Sequence, residues 1–293
     1  MVEKVQHRER VARAVPPTGP VCTQPEHLRS QPFLGRLQTE HSIRTVHSVK
    51  TVRFVVLGDL HGSFAKAAEA MNAAADVLGG LDVALCVGDA EANRNAKDAA
   101  GVATGRGHRR WVGEFPLVLR GEIEMPAPLY FIGGDHEPWA TLDAQGPGEL
   151  GGDVHFMGRA GVRDIHGLSV AFLSGVRGAA SEGDMFSRHG RDERACWVRA
   201  EMIALERAIA KRDRIDVLLS HDWPHEVLGE DGDEDLARIG VSASPRLYLC
   251  GHRHREAGGT FGTTEVLALS GITGDGGWAA FKRKTNGAME RLA

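Results

Sequence analysis

The stretch VRFVVLGDLHG, residues 52–62, sets the reading of this chain. Its first six residues are almost continuously apolar and rich in β-branched and aromatic side chains, the pattern of a strand buried on both faces. The run stops at Gly58 and at once delivers Asp59 and His61. Ionisable groups at that depth are costly unless something pairs them, so what the acid and the imidazole face becomes the question. Beyond them, Phe64, Ala67, Ala68, Met71, Ala75 and Leu78 recur at helical spacing, with Ser63 placed to cap the helix.

The same construction returns four times. VALCVG (83–88) runs into Asp89, and LYFIGG (129–134) into Asp135, His136 and Glu137. VLLS (217–220) is followed by His221 and Asp222, and LYLCG (247–251) by His252, Arg253 and His254. From about Val154 to Ser174, VHFMG, GVRDI and LSVAFLSG read as shorter strands joined by glycine turns. Val198, Met202, Leu205 and Ile209 mark an amphipathic helix, and EVLALSG (265–271) reads as a further strand. Strands mixed with helical patterns predict an α/β layered domain with a mostly buried sheet. Open α/β sheets place ligands at the carboxyl ends of their strands, where all five Asp and His clusters stand. Carboxylate oxygen and imidazole nitrogen together suit Mn, Fe, Zn and related divalent ions. Alone, a Gly-Asp after a strand is more often a turn and a His-x-His pair more often structural; five buried strands ending this way predict a metal site. In extended backbone, residues two apart share a side, so Asp59 with His61, and His252 with His254, are each placed to clamp one ion.

The chain has 293 residues and a 42% hydrophobic share, enough for a substantial core. With 35 Lys and Arg against 39 Asp and Glu it carries no general nucleic-acid footprint, so a polyanion has to be gripped locally. Residues 1–50 hold five of the 12 prolines and eight basic against four acidic residues, which predicts a disordered N-terminal extension. The domain proper is expected over 51–293, with a net charge of −8. Cys22, Cys86, Cys196 and Cys250 show no C-x-x-C spacing, and the apolar setting of Cys86 and Cys250 fits thiols in a reducing cytoplasm. No apolar stretch reaches the length of a membrane span and the first residues lack a secretory core, so a cytoplasmic protein with no membrane partner is expected.

Taken in chain order, GDLHG, VGDAEANRN, GGDHE, SHDWP and GHRH resemble the signature of the calcineurin-like metallophosphoesterases: D-x-H, GD, GN-H-(D/E), a lone H and GH-x-H. The resemblance covers about residues 53–270. It implies a four-layer metallophosphoesterase fold, a central β-sandwich flanked by helices. It also implies two divalent metal ions, one held by Asp59, His61, Asp89 and His254, the other by Asp89, Asp135, His221 and His252, with Asp89 bridging. Within the superfamily, GDAEANRN, FIGGDHE, IDVLLSHDWP and MGRAGVRDIHGLSVAFLSG resemble segments of the RNA lariat debranching enzymes. Three departures stand out. Those enzymes typically carry Cys where Asp59 stands, and Asn is usual where Asp135 stands. The segment Val227–Pro245 is short and acidic, with Glu230, Asp231, Asp233, Glu234 and Asp235, unlike a surface made to hold RNA.

The activity expected is hydrolysis of a phosphate ester, a phosphodiester from RNA or a nucleotide, by hydroxide activated between two ions, with His136 as general acid. His136 has a second reading, as a group that orients Asp135. Two divalent ions facing Asp59, Asp89 and Asp135 leave about +1, where an Asn at 135 would leave about +2, which favours a singly charged diester over a dianionic monoester. Arg94, Asn95, Arg177, Arg188 and His189 are substrate-contact candidates, and Arg106, His108, Arg109 and Arg110 form a further basic cluster. Two other functions compete. A phosphomonoesterase or dinucleoside polyphosphate hydrolase would usually continue its second motif GD-x-VDRG, where this chain reads GDAEANRN. A catalytically silent scaffold would not need every ligand position and His136 filled by competent residues.

Overall fold

Residues of the 52–57 run alternate between two different cores, Val52, Phe54 and Val56 in one and Val55 and Leu57 in the other, and for that reason all of the run but Arg53 is apolar. The computed structural model describes residues 50–103, 111–178, 191–229 and 232–293. All of these lie in the unit Val46–Ala293. The extension expected over 1–50 falls, except for Lys50, outside the described residues, as do Arg106, His108, Arg109, Arg110, Arg188 and His189.

The described strands are β1 (Val52–Leu57), β2 (Val83–Cys86), β3 (Leu129–Phe131), β4 (Gly148–Gly151), β5 (Val154–Phe156), β6 (Ala160–Ile165), β7 (Leu168–Leu173), β8 (Val217–Ser220), β9 (Leu247–Cys250), β10 (Ala257–Phe261), β11 (Thr264–Ala268), β12 (Trp278–Arg283) and β13 (Met289–Arg291). The helices are α1 (Phe64–Leu78), α2 (Ala96–Gly101), α3 (Phe115–Leu119), α4 (Trp139–Gln145), α5 (Arg191–Arg194), α6 (Arg199–Ile209) and α7 (Glu234–Ala243). The strands form two mixed sheets, one in the order β13-β12-β1-β2-β3-β5-β4 and the other β10-β11-β9-β8-β7-β6. β1, β2 and β3 run parallel, and so do β8 and β9, so the carboxyl ends that carry the motifs share a direction within each sheet.

Val52, Phe54, Val56, Val83 and Leu85 of the first sheet share a buried cluster with Val170, Phe172, Val217, Leu219 and Leu247 of the second, so the sheets pack face to face. The intervening residues Val55, Leu57, Ala84 and Cys86 turn the other way and meet Phe64, Ala67 and Met71 of α1. On the second sheet Leu173, Leu218, Tyr248 and Cys250 meet Met202 and Leu205 of α6 and Leu236 and Ile239 of α7. Each fully buried Val, Leu or Phe contributes about 1.5–3 kcal/mol relative to exposure, which makes this register hard to slip.

Two local expectations are corrected. The buried face of α1 carries Ala70 and Ala74 in place of Ala68 and Ala75, because the stripe that fits the sheet is rotated about one residue from the one first read. Ser63 makes no side-chain cap; the orphan N–H of Ala65 donates to Glu114 Oε2 at 2.8 Å, so the cap comes from 49 residues downstream. Four strands had no counterpart in the sequence reading: β4, β10, β12 and β13. β4 and β10 are glycine-bearing edge strands, while β12 pairs along the whole of β1 and owes its place to that ladder. Among the described residues no helix is long and apolar enough to cross a membrane.

Candidate metal centre

Asp59 follows β1, Asp89 follows β2, Asp135 follows β3, His221 follows β8, and His252 and His254 follow β9. Packing the two sheets brings these ends together. His221 Nε2 lies 3.2 Å from Asp135 Oδ1 and 3.4 Å from Asp89 Oδ2. His252 Nδ1 lies 3.1 Å from Asp135 Oδ1, and His254 Nε2 lies 3.1 Å from Asp59 Oδ2. His61 Nε2 is 2.9 Å from His254 Nε2 and 3.7 Å from Asp89 Oδ2. Among the described residues four overlapping groups could hold a metal ion, each with its candidate ligand atoms within 4.8 Å of one another: Asp59, His61 and His254; Asp135, His221 and His252; Asp59, Asp89 and His221; Asp89, Asp135 and His136.

The backbone corrects the pairing expected from extended geometry: His252 groups with Asp135 and His221, while His254 groups with Asp59 and His61, the division that the resemblance implies. Extended geometry would have aimed both rings the same way, but both residues are left-handed, with φ 69 and 48. His61, Asp89 and Glu91 are also left-handed, at φ 44, 48 and 46. Such conformations cost on the order of 1–3 kcal/mol each and persist only where surrounding structure over-determines them.

Hydrogen bonds fix the rings. His221 Nδ1 donates to the carbonyl of Val87 at 2.9 Å, so its Nε2 faces the carboxylates of Asp89 and Asp135. Both ring nitrogens thus face acceptors, and a neutral ring would set a lone pair against those carboxylates. The arrangement is satisfied either by a second proton or by a cation shared between them, so the donor set fits a metal ion. Glu91 Oε1, 3.0 Å from His61 Nδ1, orients the second ring in the same way and leaves Nε2 towards His254. Burial opposes charge on His221, but Asp89, Asp59 and the bond to Asp135 outweigh it and push its pKa well up. Burial likewise opposes charge on His61, yet the bond to Glu91 and the charges of Asp89 and Asp59 raise it to about 9. His252 shifts upward, against burial, through its bond to Asp135. Burial of Asp135 is outweighed by hydrogen bonds from His221 and His252, which hold its carboxyl far below the usual range.

Glycine makes the close approach possible. A Cβ on Gly134 would sit 2.2 Å from Asp89 Oδ1 and 2.5 Å from His221 Nε2. Gly88, at φ 118, would place one 2.4 Å from His221 Nδ1. His136 lies beside the cluster, its Nε2 3.2 Å from Asp135 Oδ2 and its backbone N–H donating to Asp89 Oδ1 at 2.7 Å. Two acids outside the expected ligand set support it. Glu91 orients His61, and the buried Glu137 accepts from the N–H groups of Ala90 and Glu91 at 2.7 and 3.1 Å, tying the Asp89 loop to the Asp135 loop. Glu137 had a signal, since it closes the GGDHE motif; Glu91 had none beyond its nearness to Asp89.

The candidate substrate contacts fare differently. Arg94 is held by Asp98, Nε to Oδ2 at 2.8 Å, and Asn95 caps α2 by accepting from the N–H groups of Lys97 and Asp98. Arg177 Nη1 lies 3.8 Å from Asp233 Oδ1. In the acidic Val227–Pro245 segment, Asp233 caps α7 and Asp235 pairs with Arg238, so both serve the fold. Glu230 and Asp231 lie outside the described residues.

The sequence profile of the calcineurin-like phosphoesterases matches residues 52–256 of this chain, the span that carries every one of these candidate ligands. The chain belongs to the calcineurin-like phosphoesterase family. Among curated members it is similar to the lariat debranching enzyme of Caenorhabditis briggsae, 27% identical over 270 residues, covering 80% of this chain and 51% of that one. It is also similar to the enzyme of the same name from Entamoeba histolytica, 22% identical over 241 residues, covering 74% of this chain and 68% of that one. The chain spans about half the length of the first of these relatives. A Thermus thermophilus crystal structure shares the fold, with a TM-score of 0.55 at 13% identity over 83% of this chain and 98% of that one. The family's mixed α/β architecture with two multi-stranded sheets is thus the architecture of this chain.

Proposed function

We propose that this chain is a metal-dependent phosphodiesterase that cleaves a nucleic-acid phosphodiester at a two-ion centre. The observation that carries the reading is the overlap of the ligand groups: Asp89 belongs both with Asp59 and with Asp135, so one carboxylate stands between two sets of donors. Asp59, His61 and His254 would hold one ion, Asp135, His221 and His252 the other, with Asp89 shared. When bound, the ions supply an activated water and a sink for phosphoryl charge.

The protein's own groups divide the remaining work. Val87 and Glu91 fix the tautomers of His221 and His61, so each ring presents Nε2 to the centre. Asp135 stays ionised and removes one unit of positive charge, which suits a monoanionic diester. His136, 3.2 Å from Asp135, is the proton donor to the leaving oxygen. The kinship with lariat debranching enzymes supports RNA as the polymer and a diester as the bond. Residues 52–62 keep Asp59 where those enzymes typically have Cys, so both ion positions are expected to fill with oxygen and nitrogen ligands.

The test is turnover by protein reconstituted with Mn, Fe or Zn on a 2′,5′-branched RNA, a 2′,3′-cyclic nucleotide, bis-p-nitrophenyl phosphate and p-nitrophenyl phosphate. Diester turnover that falls roughly 10²- to 10⁴-fold in His136→Ala is expected. A variant that keeps full activity would leave His136 only the orienting role, and a protein inert on every ester with every ion would refute the function.

A further inference from the structure

Exposure rises steeply across the centre. Asp59, Asp89 and His221 are at most 1% exposed at the side chain, Asp135 25%, His252 32% and His254 52%. Among the described residues the centre is thus most exposed on the side of the loop after β9, from which a substrate can approach. The loop alternates His252, Arg253, His254 and Arg255. Its imidazoles turn to Asp135 and Asp59, and its guanidinium groups turn to Trp223, their carbons 5.1 and 4.7 Å from the ring centroid. Trp223 is buried and fixed, its indole N–H donating to the carbonyl of Gly251 at 2.6 Å.

A guanidinium lying over an indole is partly ordered before any ligand arrives, and it keeps N–H groups for bidentate contact with a phosphate. Arg255 is exposed, and among the described residues no carboxylate pairs with it. Arg94 and Arg177, by contrast, stand against Asp98 and Asp233. A domain with a net charge of −8 over residues 51–293 repels a polyanion unless a cation at the mouth offsets it locally.

We propose that Trp223 supports Arg255 as a grip for the phosphate next to the scissile one, so that the substrate is a polynucleotide strand. The inference rests on the phosphodiesterase reading and gives it a substrate class. Arg255 is a positioning and binding residue; it takes no part in the bond cleavage.

The experiment measures binding of a labelled single-stranded oligoribonucleotide with phosphorothioate linkages to Mn-reconstituted protein by fluorescence anisotropy. Arg255→Ala is expected to weaken binding about tenfold, the size of one charge-assisted contact. The slope of log affinity against log salt should shrink by about 0.7, the share of one phosphate on a single strand. Arg255→Lys should recover the slope but only part of the affinity, because an ammonium restores charge without the planar fork. An unchanged affinity and slope in Arg255→Ala overturn the proposal. So does an equal loss for a labelled mononucleotide, which has no neighbouring phosphate, or a wild type that binds no oligonucleotide. Turnover of bis-p-nitrophenyl phosphate is read in parallel: its absence from the wild type refutes the phosphodiesterase reading, while the anisotropy comparison still decides the grip.

Discussion

Gly134 shows how little room the centre leaves, since the space a methyl group would take belongs to Asp89 and His221. Gly134→Ala is expected to fold and yet lose at least about 100-fold in kcat/KM, the scale of a 1 Å misplacement at a reacting centre. Circular dichroism together with metal content checks this: a variant with wild-type metal content and full activity would show that the close approach is dispensable. Asp135 carries the argument from charge. Asp135→Asn should raise the ratio of monoester to diester turnover, because an amide leaves the centre one unit more positive. If p-nitrophenyl phosphate gains nothing on bis-p-nitrophenyl phosphate in that variant, the charge account fails. His252 and His254 add a lesson about spacing. Their His-x-His signature marks a site, but which carboxylate each ring meets depends on two left-handed φ angles that spacing does not encode.

At the scale of elements, the apolar runs of β1, β2, β3, β8 and β9 were legible because a strand buried on both faces needs no alternation to be recognised. Their terminal acids and imidazoles were legible for the same reason, as groups too costly to bury without partners. α1 was legible as a helix but not in its cap. Glu114→Ala is expected to cost about 1 kcal/mol of stability by freeing the Ala65 N–H, whereas Ser63→Ala should cost a few tenths at most. Denaturant midpoints of the two variants decide between them; a larger loss for Ser63 would place the cap back in the local sequence. β12 illustrates the opposite limit: TrpAlaAlaPheLysArg has little strand signature, and its full-length antiparallel pairing with β1 recruits it.

For the whole molecule, the proposed centre makes ion and proton compete for the same nitrogens. In metal-free protein the folded pKa of His61 is about 9 against an ordinary 6.5, so its charge stabilises the fold fully below about pH 6.5 and that contribution is lost as pH rises through about 9. His221 and His252 shift in the same direction. Metal ligation needs the neutral ring, so stabilisation by the ion grows over the same interval. The gap in melting temperature between ion-loaded and EDTA-treated protein should therefore widen from pH 6.5 to pH 9. At free ion a hundredfold above Kd the ion contributes about 2.7 kcal/mol, which EDTA should remove. A gap that does not change with pH would mean that these imidazoles are not where the ion binds.

The order of the motifs, the buried strands that deliver them and the chemical type of the ligands were determined along the chain, because each depends on neighbours within a few residues. The tertiary structure decided the rest. It set His252 against Asp135 and His254 against Asp59, and it made Glu91 and Glu137 part of the centre. It also set Arg253 and Arg255 over the ring of Trp223. These contacts join loops that follow different strands, and the direction of a single ring nitrogen is set there by contacts between residues as far apart as His61 and His254.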